Sequence, residues 1–458
     1  MNKSKVITTI IFLLLFKIGF AQNQNDTGKF SFSLKQCIDY ALQNQNSMKN
    51  ASIDEMMASD KVKEVRGIGF PQINGSIQFS NNDQLRRFFI EGTGKPSTFT
   101  GNQALPAGEV FAFPNFFQLK AGGDAGLSIS QLIFSSSYFV GLQAAKTYRE
   151  LSAKATQQTK IQVTEAVTKA YYLVLINQER IKLFDKNIAR LDSLLSQIKI
   201  INKNGLAEKI DVDRLQVASN NLQTEKQKFS NLLALSFLLL KYQMEMPLKA
   251  DLSVAEKISD LKVENPTAQK ADYTSRIEYA ILESQKKLIR LDLKNNHLAY
   301  LPRIAAFANG GEFSQSPKFN YLSKSNLWYW YGLYGINISI PLFDGLQTSY
   351  KTQQAKLKLQ KTENDMQNLE LAIDLQVQSA SLSLKNNLAA LESQRKNIGL
   401  AEEVASITKT KYKEGVGTSL EVTSAETALL EAQTNYYNAL YDALISKVDY
   451  DKANGNIK

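Results

Sequence analysis

The chain has 458 residues, with 54 Lys and Arg against 44 Asp and Glu, for a formal charge of +10. It holds one Cys (Cys37) and one His (His297), which excludes an internal disulfide and a Cys/His zinc cluster. Three of the lysines, Lys3, Lys5 and Lys17, lie in the first 21 residues, where there is no acid. The remaining charge is spread over Lys/Glu-rich stretches without a basic block, the pattern of solvated helix faces rather than of a nucleic-acid surface.

Residues 1–21 (MNKSKVITTIIFLLLFKIGFA) have a charged start, a short apolar run from Val6 to Phe16 and a small residue, Ala21, before Gln22. This is the form of an export signal cleaved before Gln22. No Cys follows the apolar run, so a lipid-anchored start is not expected. No later segment has 18 consecutive apolar residues. If the chain lies in a membrane it does so as a closed β-barrel, the other solution that satisfies every backbone polar group in lipid.

A first repeat is expected over residues 22–246. After an opening helix that carries Cys37 as a small apolar packing residue, a strand is predicted at about 71–82. There Ile73, Gly75, Ile77 and Phe79 alternate with Asn74, Ser76, Gln78 and Ser80. A long loop follows, and a second strand at about 122–134 alternates Ala125, Leu127 and Ile129 with Gly126, Ser128 and Ser130. Segments of this length, apolar on one side and small or polar on the other, fit a lipid-facing barrel around a wet lumen. They also fit a soluble sheet with one buried face, and the export signal tips the balance toward the membrane. Phe111, Phe113, Phe116 and Phe117, and later Trp328, Tyr329, Trp330 and Tyr331, flank the strands as an interfacial girdle would.

The nine prolines leave residues 115–246 and 342–458 free of proline, and proline is strongly disfavoured inside helices. Both runs show heptad spacing. Val163, Val167, Ala170, Val174, Asn177, Ile181, Phe184, Ile188, Leu191, Leu195 and Ile198 form one seam, with Asn177 its polar member. Val422, Ala425, Leu429, Ala432, Tyr436, Ala439 and Ala443 form another. A 3.5-residue period wraps helices into a left-handed coiled coil. Each run contains one turn, at 203–208 and 413–418, and the two align without gaps at an offset of 210. Gly205 and Gly415 supply a left-handed residue that closes a helix. Thr418 and Glu421 read as a capping box opening the next one. A helical hairpin is therefore predicted at about 135–246 and another at about 345–452, with arms near 100 Å at 1.5 Å per residue.

Residues 247–271 read as a linker or small side element. The second repeat, 272–458, has a helix, strands at about 302–314 and 331–343, a shorter loop between them and the second hairpin. His297, just before the third strand, reads as interfacial. Residues 129–135 and 338–344 match at an offset of 209, so the chain is an internal duplication. Four strands cannot close a barrel alone, since small barrels need about eight. Copies of the chain in cyclic association can pool them.

The order of elements and three motifs carry a resemblance. They are Phe32-Ser-Leu-Lys-Gln-Cys-Ile-Asp-Tyr-Ala-Leu-Gln-Asn-Gln-Asn46, Ser339-Ile-Pro-Leu-Phe-Asp-Gly345 and Tyr412-Lys-Glu-Gly-Val-Gly-Thr-Ser-Leu-Glu-Val422. Together they resemble the outer-membrane efflux protein family, the TolC-like channels of Gram-negative bacteria, over nearly all of the chain after the export signal. The resemblance implies an α+β membrane protein whose coiled-coil hairpins form an α-barrel in the periplasm. It also implies four β-strands per protomer, contributing to a trimeric 12-stranded transmembrane β-barrel in outer-membrane lipid. The implied role is a passive exit channel of a tripartite efflux or type I secretion system. The partners would be a second and third copy of the chain, a periplasmic adaptor and an inner-membrane transporter.

The resemblance places adaptor docking on the turns, at Gly205, Leu206, Ala207, Gly415, Val416, Gly417 and Thr418. It places periplasmic gate residues at Asp211, Tyr412 and Glu421. Gly417 stands where the family's gate has an Arg, and Ser424 where it has a further acid. A periplasmic adaptor, or a coiled-coil scaffold without a channel, is the alternative. Adaptors normally carry one hairpin, and a scaffold leaves the alternating strands unexplained. No Gly-rich phosphate loop, metal cluster or catalytic acid pair is present in the sequence, so neither an enzyme nor a cofactor is expected.

Overall fold

The computed structural model describes residues 29–115, 117–258, 264–266, 272–321 and 327–457. The expected export signal, residues 1–21, lies outside the described residues, as do Phe116 and parts of the 247–271 segment. The first half runs β1 (Lys29–Phe32), α1 (Leu34–Asn44), α2 (Asn46–Gly67), β2 (Gln72–Asn81), β3 (Phe88–Glu91), β4 (Val110–Phe113), β5 (Ala121–Phe134), α3 (Ser136–Lys203) and α4 (Lys209–Gln243). The second runs β6 (Asp251–Val254), α5 (Ile277–His297), β7 (Arg303–Ser316), β8 (Tyr329–Ser339), α6 (Gln347–Lys413) and α7 (Ser419–Ala453). The duplication shows in the arms: 68 and 35 residues in the first hairpin, 67 and 35 in the second. No described helix is long and apolar enough to cross a membrane.

Two compact units divide the chain: Met1–Ala51, Thr156–Ile277 and Glu370–Lys458 form one, Ser52–Ala155 and Glu278–Leu369 the other. In the first, the opening helix starts as its residues dictate. Ser33 Oγ accepts from the Gln36 N–H at 3.3 Å and Gln36 Oε1 accepts from the Ser33 N–H at 2.8 Å, a reciprocal cap that satisfies two orphan donors. Cys37 and Ala41 of α1 then pack with Val163, Val167, Val174 and Leu240 in one core. Two short strands missed by the sequence reading close this core. β1 and β6 pair in parallel, Lys29 with Asp251 through Phe32 with Val254, so the segment expected to be a linker or small side element contributes a short strand. Both strands are four residues long, which is why neither shows a readable alternation.

The Cys37 thiol is fully buried. Burial, reinforced by the nearby Glu256 charge, pushes it up to about 12. Because the thiolate is the reactive form, iodoacetamide at pH 8 is expected to leave Cys37 unmodified in the folded protein. Mass spectrometry should find it carboxamidomethylated only after denaturation.

The second unit holds an antiparallel sheet in the order β2-β5-β7-β8. Register places Ile77, Ala125, Glu312 and Trp330 side by side across it, and Gln78, Asp124, Phe313 and Tyr329 side by side one residue on. Side chains alternate faces along a strand, so one face carries Ile73, Ile77, Leu127, Ile129, Ile336 and Ile338, all exposed. The other carries Asn74, Ser76, Ser128, Ser130 and Asn309.

Two aromatic assignments change. β8 begins at Tyr329, inside the aromatic run. Trp330 therefore stays on the apolar face while Tyr329 and Tyr331 turn to the polar one. Phe111 and Phe113 lie in β4, which pairs with β3 in a hairpin of its own within the long loop. On the apolar side, Phe79 packs with Tyr321 and Trp328 at ring centroid distances of 4.8 and 6.5 Å, an aromatic cluster at the loop end of the sheet.

Candidate functional site

The two hairpin turns lie in the same unit and are built alike. In the first, the Gly205 N–H donates to Asn202 O at 2.9 Å and the Leu206 N–H to Ile201 O at 3.1 Å. In the second, Gly415 donates to Tyr412 O at 3.2 Å and Val416 to Lys411 O at 3.0 Å. This pair of bonds, reaching back three and five residues, is the Schellman closure, and it needs a left-handed residue at the glycine. Gly205 has φ +75° and Gly415 φ +77°. The residue after that glycine usually packs on the helix it closes. Here Leu206 is 80% and Val416 77% exposed, so each turn presents an uncovered apolar side chain.

The return helices start differently. Thr418 caps α7 with a full box: its hydroxyl accepts from the Glu421 N–H at 3.2 Å, and Glu421 Oε2 accepts from the Thr418 N–H at 3.1 Å. Glu208 at the equivalent position before α4 makes no side-chain cap. Instead the Asn202 amide donates across the turn to Ala207 O at 2.7 Å. Gly417 has a steric reason: a Cβ there would lie 3.0 Å from the Tyr412 nitrogen and 3.1 Å from the Lys411 carbonyl carbon. A side chain at this position, where the family resemblance puts an Arg, requires the turn backbone to give by a few tenths of an ångström.

The structure brings two of the three gate candidates together and leaves the third apart. Asp211, on the first turn of α4, accepts a short hydrogen bond from Ser419 Oγ at the start of α7, and Arg214 lies 3.8 Å from the same carboxylate oxygen. Tyr412 packs with Val422, Leu215 and Ile198 in the core beneath the turns. Burial, and secondarily the Asp211 charge, raise its hydroxyl above the usual tyrosine value. Glu421 is exposed and spent on its own cap. Ser419 is the residue that the sequence reading missed. The offset of 210 pairs Asp211 with Glu421, whereas the contact across the hairpins runs to a residue two positions earlier, and only packing decides that.

Beside this contact, α4 and α7 border a groove of about 640 Å³ floored by Leu191 of α3. Ile210, Val217, Leu222, Leu420 and Leu430 line it, with Arg214 and Glu426 among its polar members. Arg190 anchors Glu426 at 3.1 Å. The arrangement offers apolar contact area and fixed charges.

The family model described as outer membrane efflux protein matches residues 37–237 and 294–456, both hairpins and both strand pairs. The chain belongs to the outer membrane efflux protein family. It is 23% identical over 348 residues to the outer membrane protein TolC of Vibrio cholerae, covering 73% of this chain and 76% of that one. It is 24% identical over 333 residues to the alkaline protease secretion protein AprF of Pseudomonas aeruginosa, covering 69% of this chain and 66% of AprF, just under two thirds of its length. The open-state outer membrane channel MtrE of Neisseria gonorrhoeae shares the fold. Its TM-score is 0.71 at 16% identity, over 92% of this chain and 88% of that one. As an outer membrane efflux protein, the chain is a TolC-like protein of the outer membrane with its helical barrel in the periplasm.

Proposed function

We propose that this outer membrane efflux protein is the passive exit channel of a tripartite efflux or secretion assembly. It works as a homotrimer, docked through its hairpin turns to a periplasmic adaptor and fed by an inner-membrane transporter. One observation carries the reading. Among the described strands, the four-stranded sheet ends in two unpaired edges, β2 and β8, and one exposed face is largely apolar, with Glu312 near its loop end. Unpaired edges are an aggregation hazard that closure removes, and three copies would close a wall of 12 strands. Strands of 10 to 14 residues are long enough for tilted membrane spans. Chemical crosslinking in outer-membrane extracts tests this: a trimer that needs detergent for extraction is expected, and a monomer soluble without detergent would refute it.

The hydrogen bond between Asp211 and Ser419 joins the two turns, and with Tyr412 it is the proposed closed-state contact of the periplasmic entrance. Leu206 and Val416, uncovered at the turns, are the proposed adaptor contacts. Gly415→Leu separates docking from assembly. Nothing lies within 4 Å of a Cβ at Gly415, so the penalty is conformational, about 1–2 kcal/mol for a left-handed non-glycine residue. The trimer is expected to assemble normally, while adaptor pull-down weakens about tenfold and export falls with it. Normal adaptor binding in that variant would remove the turns from the docking surface.

The match to a protein named for protease secretion supports protein cargo as a second reading beside small molecules. A deletion strain distinguishes the two: loss of a secreted protein from the medium marks the one, hypersensitivity to small toxic compounds the other.

A further inference from the structure

The polar face of the four-stranded sheet carries a cluster that the hairpin turns do not involve. Because β8 starts within the aromatic run, Tyr329 and Tyr331 share that face with Asp124 and Phe313. Tyr331 Oη donates to Asp124 Oδ1 at 3.4 Å. The Phe313 ring lies 6.3 Å from that of Tyr329 and 6.1 Å from that of Tyr331. A glycine makes the arrangement possible: a Cβ on Gly126 would stand 2.9 Å from Tyr331 Oη, so the tyrosine reaches across β5 only where that strand has no side chain. On this face of the described strands, the only other charge is Arg303, at the far, helix end of β7. Asp124 is thus the single acid on this face of the described strands, at its loop end beside Tyr331, with Phe313 and Tyr329 next to it across the sheet. Phe313 and Tyr329 are exposed.

A carboxylate beside aromatic faces is the chemistry that holds organic cations. The charge supplies long-range attraction, and the ring quadrupoles hold a weakly hydrated cation at about 0.5–2 kcal/mol each. Inward-facing acids repeated around a pore favour cations over anions. We propose that Asp124, Tyr331, Phe313 and Tyr329 form a binding site for organic cations on the lumen wall, once per protomer, which favours cationic cargo at the loop end of the duct. This rests on the exit-channel reading, which supplies the lumen.

The test is block of the purified trimer in planar bilayers by tetrabutylammonium added from the loop side. The wild type is expected to block, and Asp124→Asn, an isosteric change, to raise the half-blocking concentration about tenfold, equivalent to about 1.4 kcal/mol. Phe313→Leu, which keeps the acid, is expected to raise it about threefold and carries the test if Asp124→Asn fails to form the trimer. Glu312→Gln, next to Phe313 on β7 but on the opposite face of the sheet, should leave loop-side block unchanged. Unaltered block in Asp124→Asn, or a conducting wild type that tetrabutylammonium does not block, overturns the proposal alone. A wild type that forms no trimer and no conductance overturns the channel reading and this site with it.

Discussion

Leu127→Arg is expected to abolish assembly in the outer membrane, whereas Ser128→Arg, one residue further along β5, is expected to leave it intact. The two positions are at the same depth and differ only in the face they occupy. Leu127, 60% exposed, stands between Gly75 and Gly310 on the apolar face. Ser128 stands between Asn74 and Asn309 on the polar one. An Arg facing lipid near mid-bilayer costs about 2–4 kcal/mol. Three copies in one barrel would lose about 6–12 kcal/mol, comparable to the whole stability of a domain. An Arg facing a wet lumen keeps its hydration and alters selectivity rather than stability. The measurement is the heat-modifiable oligomer band in washed outer membranes. Equal loss for both variants would mean that the sheet buries both faces, and the lumen assignment would fail.

Glu165→Ala is expected to lower stability by about 2–3 kcal/mol and to remove part of the acid sensitivity of the helical unit. Glu165, its side chain 16% exposed, takes Lys169 Nζ at 2.8 Å and Lys452 Nζ at 2.7 Å, and Lys169 also holds Asp449 at 2.6 Å. The network joins α3 to α7 through charge-assisted hydrogen bonds, each worth about 1.5–3 kcal/mol. Removing its central acid takes away the ion-pair partner of Lys452 and leaves Lys169 with Asp449 alone. Burial opposes the Glu165 charge, but the hydrogen bonds and charges of the two lysines outweigh it and hold the carboxyl below its ordinary 4.5. A depressed folded value means that the contribution is complete above about pH 4.5 and fades as pH falls through the lower folded value. Lys169 is the mirror case. Burial works against its charge, Asp449 and Glu165 prevail, and its value rises above 10.5, so its share is complete below that pH and is lost only as pH climbs through the raised value. Thermal melts followed by circular dichroism at pH 7 and pH 3 should therefore separate wild type from Glu165→Ala by more at pH 7. Equal separation at both would remove the ion network from the account.

Much of this protein was legible because its large elements are periodic. The seam from Val163 to Ile198 reads as a coiled coil, and Val163, Val167, Val174, Leu195 and Ile198 are all buried. The alternation from Ile73 to Ser80 reads as a strand with two unlike faces. The turns were readable for a local reason as well. A left-handed residue favours glycine wherever the rest of the chain goes, so Gly205 and Gly415 declare themselves, as do the reciprocal bonds of Thr418 and Glu421. Glu421 is read from the sequence both as that capping-box acid and as a gate candidate, and the structure shows the cap.

The features with no period were not legible. The parallel pairing of β1 with β6 joins residues more than 200 positions apart through two four-residue strands. The bond from Ser419 to Asp211 depends on how two hairpins settle against each other. So does the convergence of Asp124, Tyr331 and Phe313, because a one-residue slip in the pairing of β8 with β7 would send Tyr331 to the opposite face. The amino-acid sequence by itself determined the repeated hairpins, their turns and the two-faced strands, since local periodicity and backbone preference act within a few residues of each position. Only the tertiary structure decided which side chains of distant segments meet, because register and helix packing are set by contacts that no local pattern records.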